Sequence, residues 1–358
     1  MRIADRAVYD KKRVRAKVRR IRGTYTLLRE LSSINGANTS RRLLDRVMYS
    51  FETLPPLGKE YWWFLFFGND GRQMMVLVYR KFGGGMVFNG KEVVFRKTDP
   101  GAFQAVTTGW IYDGKGIYDL GVSNPVIVSA PGGNALVSQV SDRKMTFKGS
   151  FPEYELKIGD LVHLKMTKGD SLENRCAYGV YLPPFGAGWI DIFTNAEGDV
   201  LGKKFVGTAH LQKVVGIMPY GSFHWARVVF QNGSIFSFFC LKPGEKSARY
   251  FHISMNFYDH QTRNYIRFKK PRLKISEEMG KITTWTIEGW DEENEITIVL
   301  ETYAEIKFTM KGGGSQVYIE YAVAPSEFRF RAKDKTVTLK DLGDGVGTFE
   351  DAYGLPGF

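Results

Sequence analysis

Features that mark several common classes of protein are missing from this chain of 358 residues. It has only two cysteines, Cys176 and Cys240, and no Cys-x-x-Cys pair, which argues against a disulfide scaffold, a zinc ribbon and an iron–sulfur site. The scarcity of cysteine also fits a reducing cytoplasm. The longest apolar runs, 61–67 and 235–241, are much shorter than the roughly 20 residues of a membrane-spanning helix. We therefore expect a cytoplasmic protein that does not span a membrane.

The sequence also lacks the motifs of nucleotide, redox and serine-hydrolase sites. The glycine runs 83–85 and 312–314 are not followed by the Lys-Ser/Thr of a P-loop, so we interpret both as turns or bulges. No G-x-G-x-x-G opens a βαβ unit, and no G-x-S-x-G elbow is present. The histidines show no metal-ligand spacing, which leaves open only a metal site assembled from distant strands. We expect no metal and no redox cofactor. The five histidines are His163, His210, His224, His252 and His260.

What the chain does contain is typical of a mainly β protein with two domains. The length exceeds that of one ordinary hydrophobic core. Aromatic residues make up 14% of the chain and there are 39 glycines, a composition that favours strands and tight turns. The regular spacing of short strand-like runs predicts antiparallel sandwiches or barrels, either closed or open.

The basic charge is concentrated at the N-terminus. Residues 1–50 contain 14 Lys and Arg against 4 Asp and Glu, so this segment carries +10 of the +12 net charge. A basic face of this kind fits either solvent or an anionic membrane surface, which would make the protein peripheral to the membrane. Nucleic acid is not an expected partner, because Tyr9 and Tyr25 are the only aromatic residues interleaved with the basic ones.

Two helices are predicted in this segment. Apolar residues recur with helical spacing over 7–34, and a second short helix is expected over about 40–51, with Thr39 or Ser40 as its N-cap. Pro55 and Pro56 would end it. These helices either dock on the β body, which we favour, or lie on a membrane surface.

From residue 57 onward, strand runs alternate with turn signals. Asn-Asp-Gly at 69–71 and Asn-Gly at 89–90 and 232–233 predict three hairpins. The segment 181–186, Tyr-Leu-Pro-Pro-Phe-Gly, is predicted to be a loop. We place the domains at 1–56 (basic helical segment), 57–205 (first β domain) and 206–358 (second β domain). Further strands are expected at 281–287, 295–302, 304–310, 316–323 and 336–339.

One ordered set of motifs points to a family. Gly-Thr-Ala-His-Leu-Gln at 207–212 is followed by Phe-His-Trp-Ala-Arg at 223–227 and by the hairpin turn Asn-Gly-Ser at 232–234. Tyr-Ile-Glu-Tyr at 318–321 and Gly-Val-Gly-Thr-Phe-Glu at 345–350 come later. This order resembles the second domain of the lipocalin-like superfamily of AttH proteins and carotenoid 1,2-hydratases. The resemblance implies two lipocalin-like antiparallel β-barrel or sandwich domains behind the helical segment.

The resemblance also implies an apolar cavity for an isoprenoid or another lipid-like molecule. The chain departs from the family at one place, because the enzymes carry an Asp-His pair where this sequence has His210, Leu211 and Gln212. That departure removes an acid that could protonate an alkene. Taken alone, it favours a non-catalytic carrier, although our leading hypothesis is a protein of the hydratase (lyase) or cyclase (isomerase) type.

Strand geometry indicates which side chains could share a site. His210 shares a face with Gln212, and that polar face points either to a cavity or to water. Trp225 and Arg227 share one face of the following run, and His224 lies on the other. The candidate catalytic residues are Asp191, His210, Glu320 and Glu350, and the candidate ligand-binding residues are Trp189, His224, Trp225, Arg227, Tyr318 and Tyr353.

Three hypotheses follow. In the first, the chain is a cofactor-independent hydratase or cyclase in which Asp191, Glu320 or Glu350 donates a proton, His210 orients water or relays the proton, and Trp225 faces a cation. Asp191 itself would lie in a loop or at the start of a strand. In the second, the chain is a carrier of a hydrophobic small molecule. In the third, it is an adaptor that acts through residues 1–50.

Overall fold

The structure is a computed structural model of the chain. It describes residues 23–34, 36–37, 39–51, 53–96, 102–130, 134–169, 175–219, 221–244, 250, 252–312, 314–333 and 335–355. The predicted helix over 7–34 therefore lies partly outside the described residues, as do residues 1–22 of the basic N-terminal segment.

Most of the described chain belongs to two antiparallel sheets, named sheet A and sheet B here, and the mainly β fold predicted from the sequence is confirmed. Within the described residues, the helices are α1 (described over 23–34), α2 (Arg41–Tyr49) and α3 (Leu339–Leu342). Sheet A contains β1 (Gly36–Ala37), β2 (Gly58–Gly68), β3 (Gln73–Lys81), β6 (Ala102–Gln104), β7 (Val106–Tyr112), β8 (Ile117–Asp119), β9 (Val126–Ala130), β10 (Ala135–Val140), β11 (Arg143–Ser150), β12 (Glu153–Ile158), β13 (Val162–Thr167), β14 (Arg175–Leu182), β15 (Phe185–Val200) and β16 (Lys203–Ile217). Sheet B contains β4 (Gly85–Phe88), β5 (Lys91–Val94), β17 (Ser222–Phe230), β18 (Ile235–Lys242), β19 (His252–Asp259), β20 (Asn264–Phe268), β21 (Arg272–Glu278), β22 (Lys281–Trp290), β23 (Glu295–Lys311), β24 (Ser315–Ala332), β25 (Lys335–Thr338) and β26 (Gly345–Leu355).

The three predicted hairpins are confirmed. They join β2 to β3, β4 to β5 and β17 to β18. At the second of them, Asn89 and Gly90 both have positive φ (49° and 78°), the conformation that a two-residue turn with an Asn-Gly sequence adopts. The glycine run 83–85 lies in the bend that leads from β3 into β4, and the run 312–314 lies in the turn between the paired strands β23 and β24, with residue 313 outside the described part.

Each sheet is curled and has a face whose apolar side chains form a separate core. In sheet A that face is covered by α1 and α2, which pack through buried leucines such as Leu31 and Leu44. Ser40 caps α2 by accepting a hydrogen bond from the Leu43 N–H, as expected for one of the two predicted N-caps. Within the described residues, the helices therefore dock on the β body, which is the interpretation that we favoured.

The corresponding face of sheet B is filled by its own aromatic side chains. Trp285 and Phe349 are fully buried there and stack with ring centroids 3.7 Å apart. The helices cover the inner face of curled sheet A, and aromatic rings cover the inner face of curled sheet B. The space inside each curled sheet is therefore occupied by described side chains.

The opposite faces of the two sheets pack against each other. This third core, named the inter-sheet layer, joins β2, β3 and β7 of sheet A to β23, β24 and β26 of sheet B. The central strand β2 therefore has buried residues on both faces, with Trp62 in the core of sheet A and Trp63 in the inter-sheet layer. The β4–β5 hairpin strengthens the connection, since it follows β3 of sheet A in the chain but pairs, through Phe88, with Met310 of β23.

Several strand limits differ from the prediction. The segment 181–186 is not a loop, because β14 runs to Leu182 and β15 starts at Phe185, leaving only Pro183 and Pro184 in the turn. The runs 295–302 and 304–310 form one strand, β23, with irregular pairing between Thr302 and Ala304. Residue 205 falls inside β16 of sheet A, and apart from β4 and β5 the strands of sheet B all follow β16.

Within the part of the chain that the structure describes, no helix combines the length and the hydrophobicity needed to cross a membrane.

The docking of α2 can be tested with one substitution. Leu44 is fully buried in the core of sheet A, so Leu44→Ala should lower the free energy of unfolding by about 2–5 kcal/mol through lost burial and a cavity. The measurement is urea denaturation followed by tryptophan fluorescence. The control is Arg42→Ala on the exposed face of the same helix, and equal effects of the two substitutions would contradict the docked position.

Candidate functional site

Polar and ionisable side chains are gathered at one place in the inter-sheet layer. They come from β15 and β16 of sheet A and from β17, β24 and β26 of sheet B, each at an alternate position that faces the other sheet. Around them, aromatic residues such as Tyr61 and Trp225 are only partly buried. The site therefore combines buried charge with a wall that solvent or a ligand can reach.

Asp191 and His210 form a hydrogen-bonded pair across two strands. Asp191 lies within β15, opposite Gln212 of β16, and not in a loop or at a strand start as the sequence predicted. Its Oδ1 atom is 2.7 Å from His210 Nε2 and 2.8 Å from Gln212 Nε2. The carboxylate that is missing beside His210 in the sequence motif is thus supplied by the neighbouring strand.

The electrostatic environment separates the protonation states of this pair. Burial alone would raise the pKa of Asp191, but the His210 hydrogen bond and the Arg227 charge outweigh burial and lower the pKa to about 2. Burial and the Arg227 charge lower the pKa of His210 to about 4, although Asp191 opposes that change. At neutral pH the pair is an aspartate and a neutral imidazole. Because the ionised carboxylate only accepts, Nε2 carries the imidazole proton, and the buried Nδ1 atom is an acceptor without a hydrogen-bond partner.

Aromatic rings hold the imidazole in position. His210 stacks on Phe193 with the ring centroids 4.5 Å apart and the planes within 4°. Trp225 of β17 lies on the other sheet with its ring centroid 6.0 Å from that of His210. The Arg227 guanidinium carbon is 5.0 Å from the Phe193 centroid and 5.3 Å from that of Trp225, so the cation contacts both rings.

Glu320 and Glu350 form the second ionisable pair. They lie directly opposite each other on β24 and β26, and Glu350 is also opposite Trp225 of β17. Trp110 Nε1 of sheet A donates a 3.0 Å hydrogen bond to Glu320, and Thr348 Oγ1 lies 3.3 Å from the same carboxyl group. Like charges at directly opposed positions repel each other, which disfavours ionisation of both groups.

Both carboxyl groups have raised pKa values. Burial raises the pKa of Glu320, against the hydrogen bonds from Trp110 and Thr348. Burial and the neighbouring Glu320 raise the pKa of Glu350 well above its usual range. The Tyr318 hydroxyl lies close enough to affect Glu350 but does not reach the geometry of a full hydrogen bond. At least one proton therefore stays on this pair at neutral pH.

An open cleft of about 700 Å³ lies next to the first pair, between the ends of the two sheets. Its wall includes Asn195 and Thr208, which are the next positions on the same strand faces as Phe193 and His210. On sheet B it includes Val229, two residues beyond Arg227. The cleft therefore lies beside the buried site, one step further along the same strand faces, and its lining begins at Asn195, Thr208 and Val229.

Most of the predicted site residues meet in this layer. Two of them do not, because His224 and Tyr353 face the core of sheet B, where His224 lies 3.3 Å from Asp351. Trp189 shares the face of Asp191 at the edge of the site, where its ring lies 5.7 Å from that of Tyr178. The residues that the structure gathers are Asp191, His210, Trp225, Arg227, Tyr318, Glu320 and Glu350.

Several site residues were not found from the sequence. Tyr61, Trp63 and Trp110 come from the first part of the β body, which showed only a generic strand pattern. Alternation within β2 could have placed Tyr61 and Trp63 on one face, since they are two residues apart. No local pattern could have paired Trp110 with Glu320, which is 210 positions away in the sequence.

Among the described residues, no cluster of three or more His, Cys, Asp and Glu side chains could hold a metal ion.

Comparison with protein-family models and with curated protein sequences gives no match. Solved structures do resemble the chain. CghA, determined with Sch210972, aligns with a TM-score of 0.51 at 9% identity, over 91% of this chain and 96% of CghA. The fold is lipocalin-like. Two other structures align more weakly. A candidate AttH of Nitrosomonas europaea has a TM-score of 0.44 at 10% identity, over 83% of this chain and 92% of that protein. Kievitone hydratase of Nectria haematococca has a TM-score of 0.42 at 10% identity, over 90% of this chain and 98% of that protein.

The carboxyl pair predicts a pH dependence of stability. A group whose pKa is higher in the folded protein than in the unfolded protein contributes to stability at pH values below its unfolded pKa. This contribution is lost as the pH rises through the pKa that the group has in the folded protein. In wild-type protein the free energy of unfolding should therefore fall between about pH 6 and pH 9. It should fall less in Glu350→Gln, which leaves Glu320 without an ionisable neighbour.

Urea denaturation at the two pH values measures this difference. Glu301→Gln removes an exposed carboxyl group from the adjacent strand β23 and should behave like wild type. Parallel pH profiles for wild type and Glu350→Gln would show that the pair does not hold its proton.

Proposed function

We propose that the chain is a cofactor-independent acid–base enzyme of the hydratase or cyclase type, acting on a hydrophobic small molecule bound between the two sheets. The observation that carries the proposal is that a proton donor and a proton acceptor lie close to each other. A protonated carboxyl pair and an ionised Asp191 beside a neutral His210 lie in one aromatic layer. Titratable groups whose environments push their pKa values apart are a recurrent feature of acid–base sites.

Glu350 is the proposed proton donor. Its raised pKa keeps the carboxyl group protonated at neutral pH, and Glu320 opposite it reinforces that state. Transfer of this proton to an alkene carbon would form a carbocation and leave Glu350 ionised. Trp225, directly opposite Glu350 on β17, would face the cation with its ring. Of the three acids considered from the sequence, Asp191 is unsuited to donation because it is already ionised.

His210 is the proposed base. Asp191 orients the imidazole through Nε2, which directs the Nδ1 lone pair to the substrate or to water. In a hydration, His210 would take a proton from the attacking water as its oxygen bonds to the cation. In a cyclisation, the same atom would remove a proton from the cyclised cation. Either path consumes one proton and releases one, so no redox partner is needed.

The shared fold supports a small-molecule role. CghA, whose alignment covers nearly all of both chains, was determined with the compound Sch210972. We propose an isoprenoid or another lipid-like molecule as the ligand of this chain, because the layer is rich in aromatic and apolar side chains. A carrier function would use the same layer without chemistry. A contact with an anionic membrane through residues 1–50 would be a separate activity of the N-terminal segment.

Solvent-deuterium labelling tests the enzyme proposal with no need to choose a substrate in advance. Wild-type protein incubated in D₂O with a cellular lipid extract should place carbon-bound deuterium in at least one compound, detected by mass spectrometry after back-exchange into H₂O. Glu350→Gln should slow this labelling by about 100-fold or more, as expected for loss of a general acid.

Glu301→Gln is the matched control, since it changes an exposed carboxyl group and should label at the wild-type rate. Equal labelling by wild type and Glu350→Gln would contradict the acid assignment. Absence of labelling by wild type, together with a lipid retained in native mass spectrometry, would establish a carrier instead.

A further inference from the structure

We propose that Arg227 binds the carboxylate, or an equivalent oxyanion, of the ligand, so that the substrate is an acidic hydrophobic molecule and not a pure hydrocarbon. The inference rests on the proposed function and narrows the substrate class of the same site. It comes from side chains whose hydrogen-bonding capacity the described protein leaves unused.

The guanidinium of Arg227 has aromatic neighbours but no contact anion among the described residues. It lies against the rings of Phe193 and Trp225, and its Nε atom is buried without a hydrogen-bond partner. No carboxylate in the described part of the chain approaches this guanidinium within ion-pair distance. A buried donor that is left unpaired costs roughly 1–3 kcal/mol, and more when it is charged.

Asp191 and Glu350 are two carboxyl groups whose pKa values respond to the Arg227 charge. Asp191 is hydrogen-bonded to other side chains, and Glu350 is protonated. The Arg227 charge lowers the pKa of both Asp191 and Glu350, so the guanidinium lies in the field of both groups. Asp191 uses its Oδ1 atom for His210 and Gln212, and Glu350 retains its proton. The position for an anion in direct contact with the Arg227 guanidinium is therefore available to a ligand.

A carboxylate fits this place better than other groups. The planar guanidinium presents parallel N–H donors that match the two oxygens of a carboxylate, and such charge-assisted pairs are about twice as strong as neutral ones. The rings of Phe193 and Trp225 would pack on the apolar part next to the head group. A ligand with an acidic head and an apolar body therefore matches both parts of the site.

Two further donors in the layer are without partners among the described residues. Trp63 Nε1 and the Tyr318 hydroxyl are buried with no hydrogen bond, and their rings lie 5.4 Å apart. Indole donates only, and a phenol beside the protonated Glu350 can also donate to a ligand. Oxygen atoms on the ligand would satisfy these groups, whereas a hydrocarbon would leave them unpaired.

Matched pairs of fluorescent ligands test the inference by binding alone. The probes are cis-parinaric acid with its methyl ester and 1-naphthylacetic acid with its methyl ester, titrated against the full chain at neutral pH. Wild type should bind each acid about tenfold or more tightly than its ester, which corresponds to one charge-assisted hydrogen-bond pair. Arg227→Met should abolish this preference, so that each acid binds no more tightly than its ester, and retained binding of the esters would show that the variant is folded.

Two other variants sharpen the result. Arg227→Lys keeps the charge without the planar fork and should retain part of the preference. Arg329→Met removes an exposed arginine from β24 of the same sheet and should retain all of it. Equal binding of acids and esters by wild type would overturn the Arg227 assignment but leave the inter-sheet site standing. Binding of none of the four probes would count against both the ligand class and the site.

Discussion

The packing of one sheet against the other is the constraint on which the rest of the molecule depends. Each sheet already fills one of its faces, sheet A with α1 and α2 and sheet B with its own aromatic side chains. The two remaining faces must then be buried against each other, because exposed apolar layers of that size are unfavourable in water. The contact encloses Asp191, His210, Glu320 and Glu350 in a low-dielectric layer, where their protonation states are set by one another.

The enclosed acids divide into two states for a physical reason. Asp191 has hydrogen-bond donors and a nearby cation, which stabilise the ionised form despite burial. Glu320 and Glu350 face each other, and no described cation pairs with either, so burial and mutual repulsion keep a proton between them. The same layer therefore holds both a proton donor and a proton acceptor. Arg227 lies in the field of both groups and connects the chemistry of the site to its proposed ligand.

Local sequence patterns predicted much of the architecture because turns and alternation are local properties. Asn-Gly at 89–90 and 232–233 predicted hairpins that form, and the spacing of apolar residues predicted α2 and its cap. Prediction was weaker at strand limits. Pro183 and Pro184 suggested a longer loop, but strands pair up to that turn on both sides, since the missing N–H groups fall where no ladder bond is required.

By itself, the sequence determined the mainly β class, the helix α2, and which residues share a strand face, such as Trp225 with Arg227 and, on the other side, His224. These follow from backbone periodicity, which acts over a few residues. Only the tertiary structure decided which faces meet. It supplied the Asp191 carboxylate to His210 from a neighbouring strand, brought Trp110 to Glu320, and turned His224 and Tyr353 away from the site. Those contacts depend on strand register and on the packing of distant segments, which no local pattern encodes.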